Sequence, residues 1–246
     1  VQVTNANGCA AKDSLELAEH ASMQLSITGD TTICIGSNLK LFANANNART
    51  YTWLPSGTLS NAGINNPIAS PVDTTLYTVN VADIHGCKAS DSVWINVAPL
   101  PTVTILADTL MCSGDSTLLS ATAVNALNYL WSPSAGLSDV HSAAPVATPA
   151  FTTQYVVTVA TQYGCIAKDS TIVTVNTLPA LAAGTLDSLI CTGNSTMLAV
   201  TSPTAIAYNW QPALRLSDPS IATPVASPAV TTNYYVQVTD INGCSA

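Results

Sequence analysis

Cys34 and Cys87, Cys112 and Cys165, and Cys191 and Cys244 form three pairs of positions, each 53 apart, and Trp53, Trp131 and Trp210 each follow the first cysteine of a pair by 19. Gly-Cys ends at Cys9, Cys87, Cys165 and Cys244, at intervals of 78, 78 and 79. A fixed period of this kind marks an array of small units stacked in series. The chain opens on Val1-Gln2-Val3-Thr4-Asn5-Ala6-Asn7-Gly8-Cys9 and closes on Val236-Gln237-Val238-Thr239-Asp240-Ile241-Asn242-Gly243-Cys244, the same phase of the unit. The expectation is a slice of a longer array: residues 1–20 as the last hairpin of an upstream repeat, then repeats at 21–99, 100–177 and 178–246, the third lacking its final strand. Donation of residues 1–20 to the third repeat of another molecule is the less economical reading, because they also duplicate a strand that repeat already has.

A domain of about 78 residues has a small core and commonly needs a staple. The constant spacing of 53 predicts one disulfide within each repeat, Cys34 with Cys87, Cys112 with Cys165 and Cys191 with Cys244, leaving Cys9 to a partner upstream. Each such bond is worth roughly 4 kcal/mol in the chain-entropy picture. Disulfides imply an oxidising compartment, so the chain is expected outside the cell or on its surface. Zinc is disfavoured: there is no Cys-x-x-Cys, and His20, His85 and His141 are out of phase with the cysteines. No cofactor is expected.

Charged residues make up 8% of the chain and the net charge is −8, so six scattered Lys and Arg cannot form the basic stripe that nucleic acid requires. Apolar residues are dispersed among Thr, Ser, Asn and Pro, and no run is long enough to span a bilayer as a helix.

Alternation with period two and β-branched enrichment predict strands throughout. Leu39 to Ala43, Tyr51 to Trp53, Tyr77 to Val81 and Asp91 to Val97 carry this pattern in the first repeat, and the last two join through a turn at Gly86. The other copies repeat the plan at Tyr155 to Val159 and Tyr234 to Val238, with prolines at Pro55, Pro67 and Pro71, at Pro133, Pro145 and Pro149, and at Pro212, Pro224 and Pro228. Seven or so short strands, a tryptophan and a cysteine pair predict an all-β fold of tandem immunoglobulin-like sandwiches. The core aromatics are then Trp53, Trp131, Trp210, Tyr77, Tyr155 and Tyr234. Short proline-bearing connections at Ala98-Pro99-Leu100-Pro101 and near Asn176-Thr177-Leu178-Pro179 predict a stiff string.

The run Cys34-Ile35-Gly36, Tyr51 to Pro55, Leu59-Ser60, Asn66 to Pro71, Thr74 to Val81 and Gly86-Cys87 resembles the PKD-like, immunoglobulin-like repeats of large secreted Bacteroidetes proteins, and the likeness covers nearly the whole chain. Trp-Leu-Pro-Ser or Trp-Ser-Pro-Ser stands where ordinary PKD domains carry Trp-Asp-Phe-Gly-Asp-Gly, so the likeness is to the PKD-like group. It implies a surface protein of the gliding-motility adhesin or giant filament type, exported by the type IX system.

No catalytic constellation is visible, because Glu occurs only at Glu16 and Glu19 and the histidines occupy unrelated repeat positions. The chain is therefore expected not to be an enzyme. Trp53, Trp131 and Trp210 sit where immunoglobulin-like folds place a core tryptophan, which outweighs a sugar-stacking role. Trp94 is offset by one from the inward set Val93, Ile95 and Val97, so it faces outward and is a candidate contact for a neighbouring repeat, another chain or a glycan. Asp-Ser and Asp-Thr place hydroxyls at Ser14, Thr31, Thr74, Ser92, Thr109, Ser116, Ser170 and Ser188, eight of the twelve aspartates being used. Two of these positions recur, four before each first cysteine and four after each second. Aspartate here is either a turn former or, with its hydroxyl neighbour, part of a signal resembling the O-glycosylation site of exported Bacteroidetes proteins. Asn194-Ser195-Thr196 also fits an N-linked sequon.

These readings predict an extracellular structural or adhesive repeat region forming a rod-like stalk or surface filament. Its partners would be neighbouring repeats, other copies in a filament, or surface glycans. The alternative is a spacer or carbohydrate-binding module of a secreted hydrolase.

Overall fold

The computed structural model describes residues 1–16, 19 and 21–246, and the chain divides into two compact units, Val1–Pro99 and Leu100–Ala246. His20 lies outside the described residues, among which there is no helix. The fold is all-β and consists of tandem immunoglobulin-like sandwiches.

In the first unit a four-stranded sheet runs Thr31–Cys34, Lys88–Ala98, Thr75–Asp83, Ala48–Leu54. Thr31–Cys34 is parallel to Lys88–Ala98, with Thr31 opposite Ile95 and Cys34 opposite Ala98, and the other neighbours are antiparallel. The facing layer pairs Leu25–Ile27 with Ala43–Ala45 and Leu39–Lys40 with Ile68–Ala69. A parallel pairing of Thr31–Cys34 with the last strand on one sheet and short antiparallel pairs on the other make the immunoglobulin-like sandwich. The stretch from Leu39 to Ala45 is interrupted rather than continuous: Leu41 donates to Pro67 O, Phe42 to Thr28 Oγ1 and Ala43 to Asn65 O. The chain there changes partners midway.

Strict alternation in Thr75–Asp83 buries Tyr77, Val79 and Val81, which close with Val93, Ile95, Leu41 and Trp53 into one core. The tryptophan is fully enclosed, and its indole N–H donates to Ile64 O at 3.0 Å, which meets the polar requirement of a buried indole. Gln2–Thr4 and Ala10–Lys12 form a separate, exposed hairpin.

The second unit holds two further copies. In the second repeat the sheet order is Thr109–Cys112, Ile166–Asn176, Thr153–Ala160, Asn128–Ser132, with Val103–Ile105 on Ala121–Ala123 and Thr117–Leu118 on Val146–Ala147 opposite. In the third, Thr196–Thr201 lies between Ala182–Thr185 and Val225–Ala226, and Ala205–Gln211 pairs with Tyr235–Asp240. Trp131 and Trp210 occupy the same place as Trp53, donating to Ser142 O and Ile221 O. Pro55, Pro133 and Pro212 each follow a cis peptide bond.

Candidate functional site: a disulfide-bonded joint between repeats

The two cysteines of a repeat sit at opposite ends of its sandwich. The first closes the parallel edge strand, where Cys112 lies opposite Asn176 at the end of the last strand. The second stands in the turn that begins that same strand, Cys165 just before Ile166. Eleven residues of extended chain separate the two ends, roughly 33 Å at the rise of a β-strand. A disulfide holds its Cα atoms about 5.5–6 Å apart, so no bond can form within the repeat.

The structure accordingly corrects the pairing drawn from the spacing. Cys112 bonds to Cys244 of the following repeat, Cα to Cα 5.5 Å and 132 positions along the chain. Cys34 and Cys165 are disulfide-bonded too, whereas Cys9, Cys87 and Cys191 are free. Neither Cys34 with Cys87 nor Cys191 with Cys244 is a pair, and Cys112 is not joined to Cys165. The last strand of the second repeat thus holds the repeat's two cysteines apart, and the one at its far end, Cys112, reaches the third repeat.

Local chemistry fixes both partners. Cys112 O accepts from Asp115 N across a turn whose Gly114 has φ +94°, and Ser113 N donates to Asn176 O, continuing the parallel ladder past the cysteine. At Cys244 the turn is clipped by the carboxylate of Asp240, which accepts from Asn242 N and from Cys244 N, both at 2.9 Å, while Asp240 N donates to Cys244 O. Asn5, Asp83 and Thr161 hold Cys9, Cys87 and Cys165 in the same way, four residues earlier. Gly8, Gly86, Gly164 and Gly243 all take the left-handed conformation that this turn needs. The clip is visible in the sequence as a polar residue four before each second cysteine, a signal hidden by its changing identity: Asn, Asp, Thr, Asp. Cys244 is fully enclosed, and Pro179 of the connection is buried.

The remaining candidates fall elsewhere. Tyr77 and Tyr155 are buried, the first sharing a hydrogen bond with Thr58 Oγ1 and the second donating to Ala135 O; Tyr234 is half-buried. Burial raises the Tyr155 phenol above its ordinary value. Trp94 is 45% exposed on the outer face, opposite Leu76, and its backbone N–H donates to Asp30 Oδ1. Asp30 and Asp108 both tie the start of the edge strand to the last strand, Asp108 through Ile172 N at 2.8 Å and the Thr171 hydroxyl. Asp13, Asp91 and Asp169 instead accept from the backbone N–H of their own serine. Of the hydroxyl residues, Ser14, Thr74, Ser92, Ser116, Ser170 and Ser188 are exposed and Thr31 and Thr109 half-buried. Thr74 Oγ1 accepts from Val97 N, and Ser170 Oγ from Gln154. His85 sits in the turn before Cys87, and His141 faces Tyr129 O. Among the described residues no three His, Cys, Asp or Glu side chains gather as a metal site, and no helix is long and apolar enough to cross a membrane.

No family model matches the chain, and no curated protein matches it. Among solved structures it is similar to a three-domain titin fragment, I67–I69, carrying Glu-to-Ala changes, at 14% identity and TM-score 0.47, covering 93% of this chain and 96% of that one. Sidekick-1 immunoglobulin domains 1–5 align at 14% identity and TM-score 0.38, over 100% of this chain and 63% of that one. A Dpr2 Ig1-Ig2 complex with DIP-Theta Ig1-Ig3 aligns at 13% identity and TM-score 0.34, over 92% and 97%.

Proposed function

We propose that this chain is a load-bearing stalk: an extracellular array of immunoglobulin-like repeats, bounded at 21–99, 100–177 and 178–246, whose second and third repeats are locked together by a disulfide set one repeat out of register. The observation that carries this reading is the Cys112–Cys244 bond across the joint between the second and third repeats. A peptide connection alone is a hinge. A second covalent tether at a different point removes most of the rotation about it, which suits a rod and serves no purpose in a flexible linker. The bond joins the first cysteine of the second repeat to the second cysteine of the third, so it ties one sandwich to the next and not two ends of one sandwich. An oxidising compartment follows from the same bonds, and a surface filament or adhesin stalk is the role in which such an array serves.

Two surface features belong to this reading. Trp94, held outward beside Leu76, is placed to meet a neighbouring chain or a glycan. The exposed Asp-Ser and Asp-Thr hydroxyls are placed to carry sugars that solvate a charge-poor surface; native protein whose mass equals that of the bare polypeptide would remove this second assignment.

Small-angle scattering tests the rod. The oxidised chain is expected to give an elongated particle, and Cys112→Ser to broaden the distance distribution as the joint begins to bend. A compact, globular profile for the oxidised chain overturns the reading.

A further inference from the structure

Resting on the stalk reading, we infer that the Cys112–Cys244 disulfide is the element that carries tension applied between the start of the second repeat and the end of the third, bypassing the peptide chain between these two cysteines. The argument is one of connectivity. Cys112 lies 12 residues after Leu100, the start of the second unit, and Cys244 lies two before Ala246. Force entering at Leu100 and leaving at Ala246 therefore has a short route, along the edge strand to Cys112, through the sulfur bridge and out. The long route passes through every other strand of both sandwiches. A covalent short route becomes taut first, so under force applied at these two points the peptide chain between Cys112 and Cys244 is not extended.

The placement of the two cysteines suits this task. Cys112 ends a strand held in a parallel ladder to Ile166–Asn176, so tension at that point is shared by neighbouring backbone hydrogen bonds loaded together. Cys244 is buried and clipped through Asp240. Neither anchor is a loose loop. Bonds within each repeat would do something different: they would leave the connection between the sandwiches, residues 165–191, as the only tether under load.

Single-molecule stretching of the full chain between handles fixed at Leu100 and Ala246 reads the load path directly. For the oxidised protein, extension is expected to stop once the few residues outside the 132-residue span are taut. Adding dithiothreitol during the same pull should release that span, a gain of roughly 440–470 Å at 3.3–3.6 Å per residue. Cys112→Ser should reach the longer length without reductant, and reduction of the wild-type chain gives the same readout should that variant fold poorly. Equal extension with and without reductant overturns the inference. So does a final oxidised length exceeding the expected one by the 26 residues between Cys165 and Cys191, about 90 Å, the signature of bonds within repeats. The stalk reading stands or falls separately, since scattering reports shape and stretching reports the path of force.

Discussion

The second and third repeats have nearly the same strands and very different edges. In the second, Ile166–Asn176 lies between Thr153–Ala160 and Thr109–Cys112, and Val173 from it is fully buried. In the third, residues 186–191 form no strand and Leu189 is 92% exposed, although Asp187-Ser188-Leu189-Ile190-Cys191 matches Asp108-Thr109-Leu110-Met111-Cys112 position for position. Met111 is buried while Ile190 is half-buried, and Tyr155 is enclosed while Tyr234 is not. An open groove of about 700 Å³ runs past Leu189, Cys191, Trp210 and Tyr234. The same local sequence thus becomes a strand only where a last strand stands beside it. That strand also positions the first cysteine, since Cys112 lies opposite Asn176 at its end.

Val173→Asp attacks this comparison hardest. An unpaired carboxylate in the core of the second repeat should lower its stability by several kcal/mol and free the amides of residues 109–112 to exchange with solvent, as those of 188–191 are expected to do already. Ile172→Asp, on the exposed face one residue away, should change little. Protection at 109–112 that survives Val173→Asp would mean the edge strand stands without its neighbour.

Tryptophan truncation sharpens the comparison. Trp131→Ala and Trp210→Ala each remove a buried anchor, a loss of about 3–5 kcal/mol in a complete core, and Trp131 should lie at the top of that range because the core around it is closed by the last strand. Denaturant titration that ranked Trp210 above Trp131 would contradict the view that the third core is the weaker.

The turn clips compare at a finer level. Asp240→Ala removes a carboxylate that accepts two backbone N–H groups and should lower stability by about 1–3 kcal/mol. Thr161→Ala removes a neutral hydroxyl with longer bonds, 3.2 and 3.3 Å, and should do less. Equal losses would assign the turn to its glycine alone.

The smallest effect is alkaline. Tyr155 holds its proton more tightly in the folded protein than in the unfolded chain, because burial disfavours the phenolate. Its contribution is therefore complete below the unfolded value near 10 and declines as pH rises through the higher folded one. Tyr155→Phe should flatten the fall in stability above pH 10, measured by denaturant titration at each pH.

Much of this was legible in the sequence. Period-two runs at Tyr77 to Val81 and Asp91 to Val97 fall inside the strands Thr75–Asp83 and Lys88–Ala98, Gly86 lies in the turn between them, and Trp94, offset from Val93 and Ile95, is exposed. The pairing of the cysteines was not legible from spacing, because two periodic series 53 apart are equally 131 or 132 apart one repeat later. What decides between them is the length of the strand that separates Cys165 from Cys112, and that requires knowing that the edge strand lies parallel to it. The missing neighbour in the third repeat was legible, since 178–246 was expected to lack its final strand, whereas the groove that opens past Leu189 and Tyr234 was not.

A chain whose residues 112 and 244 are fused is, over that span, a ring. One cut in a string separates it into two pieces. One cut anywhere between Cys112 and Cys244, including the exposed Thr177-Leu178 connection where a protease would find its easiest purchase, opens the ring and leaves both sides attached. Two cuts are needed to free even one peptide, and the outermost residues never part. The bond thus also makes that span tolerant of a single cut.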